Sequence, residues 1–146
     1  MRKIDTLSHD STLQVRDRCL CLATQRAARA LARRFDAAFA SLELTNGQYS
    51  LLMSLNRPEP PLMGQVAELL AMDRTTLTAA LKPLERRKLV RVVADMQDRR
   101  GRRLILTVAG RALLAKALPI WRRTHEEVER DMDDPLRLRT ELWAVT

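Results

Sequence analysis

From Leu20 onward, the first third of the chain carries an apolar or small residue at every third or fourth position. This spacing is the period of an α-helix, so these side chains lie on one face of the helix. The opposite face carries Arg26, Arg29, Arg33 and Arg34. The pattern predicts one long amphipathic helix over residues 12 to 42, with a solvated arginine face.

Thr45 and Gln48 have the spacing of a capping box, which starts a helix. In this motif the threonine side chain accepts a hydrogen bond from the glutamine amide, and the glutamine side chain reaches back to the threonine amide. A second helix is therefore expected over residues 46 to 56. The proline-rich segment at residues 57 to 61 ends it, because proline has no N–H to continue the backbone hydrogen bonds.

Two short helical segments and two β-rich runs come next. The segments MGQVAELLA and DRTTLTAALKPLERR are joined almost directly, so their helices must cross at a large angle. Asp73 precedes the second helix and suits its N-cap, because the carboxylate can accept from the free amides of the first turn. The runs LVRVVA and RRLILT flank a basic stretch and predict a two-stranded hairpin.

The end of the chain predicts two further helices. The run TVAGRALLAKALPIWRRTHEEVERDM keeps the helical period on both sides of Pro119, so we expect the proline to kink this helix rather than end it. A short last helix over residues 134 to 144 contains four large apolar residues, Leu136, Leu138, Leu142 and Trp143. We interpret Trp121 and Trp143 as core or interface residues.

Helix, tight turn, helix and hairpin, in this order, are the elements of a winged helix-turn-helix. The predicted fold class is mainly α (α+β). Residues 45 to 106 form the winged helix-turn-helix lobe, and residues 1 to 44 and 107 to 146 form the helices of a dimerisation lobe. The long first helix and the leucine-bearing tail have no sheet within the chain to cover. Intertwining them between two chains, in a homodimer, would bury both.

Charge is concentrated in one part of the sequence. The chain has a formal net charge of +8, and ten of its 26 arginines and lysines lie within residues 74 to 103, against three acidic residues. This concentration favours a polyanionic partner. Double-stranded DNA fits the predicted elements, because its major groove, about 12 Å wide, admits a helix while a hairpin tip can reach the neighbouring minor groove.

The second helix of the predicted helix-turn-helix has an inward and an outward face. The inward residues Leu77, Ala80, Leu81 and Leu84 are expected to pack on Val66, Ala67 and Leu70. The candidate DNA-binding residues at its start and on its outward face are Arg74, Thr75, Thr76, Thr78, Lys82 and Arg86. Hydroxyl groups near its N-terminus suit base edges, and cations toward its far end suit phosphates. In the hairpin the candidates are Asp98, Arg99, Arg100 and Arg102.

Three stretches resemble the multiple antibiotic resistance regulator (MarR) family: LTNGQYSLLMSL, QVAELLAMDRTTLTAALKPLERRKLV and DRRGRRLILTVAGRALL. The flanking helices are placed as in that family, so the resemblance covers nearly the whole chain. It implies a homodimer with interlocked N- and C-terminal helices and a palindromic DNA operator. It also implies repression that is relieved by a small ligand or by oxidation.

The resemblance also assigns roles to residues. Arg74, Thr75, Thr76 and Thr78 match the family's DNA-contacting positions, and Asp98 and Arg100 match its Asp-Arg-Arg motif. By this match Asp98 holds an arginine in position, and Arg100 or Arg102 enters the minor groove. Three residues depart from the family pattern. Ala79 replaces a larger polar residue, Lys88 replaces a glycine, and Pro83 suggests a bend after Lys82.

Cys19 and Cys21 are the only cysteines, so the chain has no disulfide framework. Cys21 resembles the oxidised cysteine of the hydroperoxide-sensing branch of the family, which makes redox sensing an alternative function. On a continuous helix, residues i and i+2 point about 200° apart, so the two cysteines would not bridge each other. Buried structural thiols are the other interpretation of the pair.

A small-molecule effector is implied by the resemblance alone. Arg26 or Arg29 could pair with it if it is acidic or phenolic. No cofactor or metal is expected, since only two histidines occur. The sequence contains no glycine-rich phosphate loop, nucleophile elbow or metal-spaced cluster, so it does not predict an enzyme.

The sequence has no apolar run long enough to span a membrane and no apolar signal-peptide centre, so a cytoplasmic protein is expected. A winged-helix protein with low DNA specificity, used for protein contacts, stays as a further alternative. Ala79 favours that alternative, because an alanine reads fewer base edges than a polar side chain does.

Overall fold

A computed structural model describes residues 7 to 146, and these divide into two compact units, the first ending at Arg34 and the second being Phe35–Thr146. The helices in chain order are α1 (His9–Arg18), α2 (Leu20–Phe39), α3 (Asn46–Ser54), α4 (Met63–Leu69), α5 (Arg74–Arg86), α6 (Val108–Glu129) and α7 (Pro135–Trp143). The strands are β1 (Val90–Ala94) and β2 (Arg102–Leu106). None of the helices within the described residues is long and apolar enough to cross a membrane.

The predicted single helix over residues 12 to 42 is wrong, because the backbone leaves the helical conformation at Cys19 (φ −77°, ψ 111°). The amide of Cys19 still bonds to the Val15 carbonyl at 2.9 Å. Its Sγ accepts from the amide of Leu22 at 3.4 Å. Cys19 therefore ends α1 and supplies an acceptor to the free amides at the start of α2. A 3₁₀ turn (Ala40–Leu42) then follows α2.

The helix-turn-helix has the predicted inward face. Leu77, Leu81 and Leu84 of α5 are buried and Ala80 is partly buried. On α4, Val66 and Ala67 are buried, and the C-cap residue Leu70 is partly buried. The predicted capping box at the start of α3 is present, with Gln48 N at 3.2 Å from Thr45 Oγ1 and Thr45 N at 3.1 Å from Gln48 Oε1. The burial of Leu77, Leu81 and Leu84 leaves the opposite, outward face of α5 exposed.

The predicted hairpin is confirmed, with β1 and β2 antiparallel and Val90 opposite Leu106. A third segment joins it: Leu62 forms an isolated bridge with Arg103, and the Leu104 amide bonds to the Pro61 carbonyl at 3.0 Å. The proline-rich segment therefore has a second role besides ending α3. It fastens the hairpin to the start of α4.

Three helical segments each end in a turn of the same type, in which a residue other than glycine takes the left-handed conformation. These residues are Glu43 (φ 51°), Ala71 (φ 51°) and Lys88 (φ 57°). After α5, the Lys88 amide bonds to the Glu85 carbonyl and the Leu89 amide to the Leu84 carbonyl, each at 2.9 Å. This pair of bonds is a Schellman motif, whose left-handed position favours glycine. The glycine expected from the family at Lys88 thus has a conformational basis.

The C-terminal helices lie near the predicted positions. α6 continues through Pro119 to Glu129, and α7 starts at Pro135 with Asp134 as N-cap. Trp121 is partly buried against the core, whereas Trp143 on α7 is 64% exposed. The two tryptophans therefore have different surroundings within the protomer.

Candidate nucleic-acid interface

The first turn of α5 is fixed by Asp73. Asp73 Oδ1 accepts from the Thr76 amide at 2.7 Å, and Oδ2 accepts from the Thr76 hydroxyl at 3.1 Å. These bonds hold the pKa of the Asp73 carboxyl below its usual value. The predicted N-cap is confirmed, and the Thr76 hydroxyl proton is bound to the cap.

The hydroxyls on the exposed face of α5 differ in what they can donate. Thr78 donates its hydroxyl proton to the Arg74 carbonyl at 2.7 Å. Its oxygen lone pairs stay available, so Thr78 can accept from an amino group on a base edge but does not donate while that bond is kept. Thr75 is exposed, and its hydroxyl makes no hydrogen bond to any residue in the described range. Thr75 is therefore free both to donate and to accept.

The predicted outward residues of α5 are all exposed. Thr75, Thr78, Ala79, Lys82 and Arg86 lie on the solvent side of the helix. The helix carries no acidic residue in its first turn. Cations at Lys82 and Arg86 occupy its second half, a distribution that suits contacts with a nucleic-acid backbone.

The hairpin tip is built by two aspartates. The Asp98 side chain accepts from the Arg100 amide at 3.0 Å, and Asp95 Oδ2 accepts from the Asp98 amide at 3.3 Å. Backbone bonds from Gly101 to Asp98 (2.9 Å) and from Asp95 to Gly101 (3.0 Å) close the turn. Asp98 thus shapes the backbone of the tip. The expectation that Asp98 holds an arginine side chain is wrong for this structure.

Asp95 is the acid that holds an arginine. Its Oδ1 lies 2.8 Å from Arg103 Nε, and Arg103 Nη1 donates to the Pro60 carbonyl at 2.6 Å. The bond from Arg103 holds the pKa of the buried Asp95 carboxyl below its usual value. Arg103 is therefore engaged in an ion pair within the chain. Asp95 was not among the residues predicted from the sequence, although it directly follows the Ala94–Arg102 pair that ends the hairpin register.

The remaining tip arginines differ in freedom. Arg102 Nη1 donates to the carbonyls of Arg99 (3.0 Å) and Gly101 (3.4 Å), so its side chain folds back on the turn. Arg99 and Arg100 are exposed. The guanidinium of Arg100 makes no hydrogen bond within residues 7 to 146, so Arg100 is free to reach a partner without first losing an internal contact.

The N-terminal unit contains the other candidate residues. Cys19 is half-buried and Cys21 is exposed. Because the helix breaks at Cys19, the two thiols do not lie on one continuous helix, and the predicted 200° separation does not apply to them. Arg26 and Arg29 are exposed on α2. Among the described residues, no group of three or more histidine, cysteine or acidic residues could hold a metal ion.

The fold and the basic exposed elements define a winged helix-turn-helix protein of the transcription-regulator class. The model of the MarR family matches residues 44–101. The M. tuberculosis transcriptional regulator MosR, whose structure was determined in complex with DNA, is 38% identical with a TM-score of 0.81 over 87% of this chain and 92% of MosR. The chain belongs to the MarR family of DNA-binding transcriptional regulators.

Two curated relatives agree with this assignment. The HTH-type transcriptional regulator YybA of Bacillus subtilis (strain 168) is 32% identical over 99 residues, which are 68% of this chain and 63% of YybA. The HTH-type transcriptional regulator TtmR of Methylorubrum extorquens (strain PA1) is 37% identical over 100 residues, 68% of this chain and 51% of TtmR. The chain thus spans between half and two thirds of the length of these relatives. The family and its members are transcriptional regulators rather than enzymes.

Proposed function

We propose that this protein is a sequence-specific transcriptional regulator that binds double-stranded DNA as a homodimer. In this proposal it represses transcription from a palindromic operator in the cytoplasm and is released by a small ligand. The observation that carries the proposal is the exposed, basic pair formed by the outward face of α5 and the hairpin tip. The DNA complex of MosR supports it, since MosR aligns with 87% of this chain.

Each part of this pair has a proposed contact. The start of α5, at Arg74, Thr75, Thr76 and Thr78, faces base edges in the major groove. Lys82 and Arg86 meet phosphates, which position the helix without reading sequence. At the tip, Arg100 enters the minor groove, where a narrow groove concentrates negative potential. Arg99 and Arg102 contact the flanking backbone, and Asp98 supports the turn that presents them.

Exposed apolar residues support the homodimer. Leu136, Leu138 and Leu142 on α7 are 68%, 46% and 43% exposed, and Trp143 is 64% exposed. Val15 on α1 is 59% exposed. Clusters of large apolar side chains at a surface mark contacts with other chains. We therefore assign residues 1 to 44 and 107 to 146 to dimerisation, and residues 45 to 106 to DNA binding.

Footprinting on the DNA beside the protein's own gene tests the proposal. A protected palindrome of about two helical turns is expected, because two symmetric lobes place their helices one turn apart. Light scattering of the same sample should give twice the mass of the 16.7 kDa chain. Equal affinity for the operator and for random DNA would refute sequence-specific regulation. That result would favour a winged-helix protein of low DNA specificity used for protein contacts.

Thr78→Ala tests base contact at α5. Relative affinity among operator variants should change by roughly 1 kcal/mol, a typical scale for one base contact. Thr140→Ala on α7 is the matched control, because this exposed threonine also donates to the carbonyl four residues earlier but lies outside the proposed DNA-binding lobe. Equal losses across all operator variants would mean that Thr78 touches only the DNA backbone.

The effector site is proposed at Arg26 and Arg29, which would pair with an acidic or phenolic ligand. Benzoate-like acids should then weaken operator binding by the wild-type protein and raise its thermal midpoint. Arg26→Gln and Arg29→Gln should reduce both effects. No change in either quantity with the wild-type protein would remove this part of the proposal.

Redox sensing at Cys21 is a second candidate function, favoured by the exposure of this thiol at the start of α2. An organic hydroperoxide would oxidise the Cys21 thiolate to sulfenic acid and be reduced to the alcohol. Peroxide treatment should then release the wild-type protein from its operator, and Cys21→Ser should stay bound. The same release from Cys21→Ser would exclude this residue as the sensor.

A further inference from the structure

The C-terminal end of α5 is bonded to a distant part of the chain through Arg87, the residue that caps it. Arg87 Nη1 donates to the Glu43 carbonyl at 2.6 Å, and Nη2 donates to the Leu42 carbonyl at 3.3 Å. Leu42 is the last residue of the 3₁₀ turn after α2, and Glu43 is its C-cap. One side chain therefore joins the end of the exposed basic helix to the end of α2.

The chemistry of this contact suits arginine. Carbonyls at the end of a helical segment have no partner within it and carry a partial negative charge. A guanidinium presents donors in a planar fork and can bond two neighbouring carbonyls at once, which an ammonium cannot do with fixed geometry. Arg87 is exposed, but its guanidinium is directed at carbonyls of its own chain.

A second set of bonds holds the same end of α5 to α6. Thr107, the N-cap of α6, places its hydroxyl 2.7 Å from the Lys88 carbonyl and 3.0 Å from the Leu89 carbonyl. Gly110 allows the close approach, because a Cβ there would lie 2.3 Å from the Leu89 carbonyl oxygen. The residues directly after α5, from Arg87 to Leu89, are therefore bonded to the 3₁₀ turn after α2 and to the start of α6.

We propose that Arg87 is a positioning residue for DNA binding. It sets the direction in which α5 presents its exposed face, by bonding the helix end to the carbonyls of Leu42 and Glu43. It does so without touching phosphate, unlike its neighbour Arg86. This inference rests on the proposed function, since it concerns how the DNA-binding helix is held.

DNA affinity measured over a range of salt concentrations separates positioning from phosphate contact. Each phosphate contact contributes about 0.9 to the slope of log affinity against log salt. Arg86→Ala should lower affinity and reduce the slope by about that amount. Arg87→Ala should lower affinity about five- to tenfold, at the lower end of typical coupling effects, and leave the slope unchanged. Arg87→Lys should recover part of the loss, because a lysine can bond one of the two carbonyls.

Amide hydrogen exchange tests the contact without DNA. In Arg87→Ala the amides of Glu43 and Leu44, which close the corner after the 3₁₀ turn, should exchange several-fold faster than in the wild type. Arg86→Ala should leave them unchanged. If exchange is faster in Arg87→Ala but the wild type binds no operator, the proposed function is refuted. The contact between Arg87 and the two carbonyls is then still supported.

Three results would overturn the positioning role. The first is an Arg87→Ala slope reduced by about 0.9, which would show direct phosphate contact. The second is wild-type affinity in Arg87→Ala at all salt concentrations. The third is unchanged exchange at Glu43 and Leu44. If the second result came with a lower thermal midpoint, the contact would only stabilise the fold.

Discussion

Lys88 ends α5 in a backbone conformation that suits glycine, so Lys88→Gly should stabilise the protein. Its φ of 57° is left-handed. For a residue with a Cβ, this conformation costs roughly 1–2 kcal/mol. Glycine avoids that cost. Its greater freedom in the unfolded chain, however, lowers the free energy of unfolding by about 0.4–1 kcal/mol. The net gain in the free energy of unfolding is therefore about 0.5–1 kcal/mol.

Urea unfolding at a fixed protein concentration measures this gain, because the stability of the proposed homodimer would depend on concentration. The urea midpoint should rise with an unchanged slope, and the thermal midpoint should rise by about 1–4 °C for a chain of this size. Lys88→Ala is the matched control, since it removes the same side chain and keeps the left-handed cost. If Lys88→Gly is no more stable than Lys88→Ala, the left-handed strain does not limit stability and the reasoning fails.

Three further predictions test packing, the wing and its charge. Gly110→Ala should destabilise the protein by about 2–4 kcal/mol in thermal unfolding, because its Cβ would meet the Leu89 carbonyl. The control Gly47→Ala should have little effect, because no atom lies within 4 Å of the added Cβ. Equal stability of the two variants would contradict the close approach at Gly110. Asp95 has a lowered pKa, so its contribution is present above its unfolded pKa and lost as the pH falls through the folded value. Acid unfolding should therefore flatten in Asp95→Asn, and an unchanged acid profile would exclude the Arg103 pair as a source of stability. Arg100→Ala should weaken operator binding and reduce the salt slope by about one, and wild-type affinity at every salt concentration would disprove its groove contact.

The parts of the fold that could be predicted from the sequence depend on neighbouring residues. Asp73 caps α5 through the Thr76 amide, three residues away, and Thr45 and Gln48 form their box over the same distance. The inward face of α5 follows from helical spacing, since Leu77, Leu81 and Leu84 are three or four residues apart. In each case the pattern and the contact lie within one turn of helix.

The parts that could not be predicted depend on contacts far apart in sequence or on an unmarked break. The helical pattern continues on both sides of Cys19, with no proline or glycine to signal the break. Arg103 is one of four arginines around Gly101, and only the folded hairpin selects it as the partner of Asp95. Arg87 is likewise one cation among several at the end of α5, and its partners lie 44 and 45 residues earlier.

The bridge between Leu62 and Arg103 has a consequence for the choice of operator. It holds the hairpin to the start of α4 through backbone bonds. The protein therefore fixes the distance between the two proposed DNA contacts, which are the outward face of α5 and the hairpin tip. The DNA must then match that distance by its own twist and groove width. Base pairs that no side chain touches would still affect affinity through their stiffness. We expect operator variants that change only the base pairs between the two contacts to bind with different affinities.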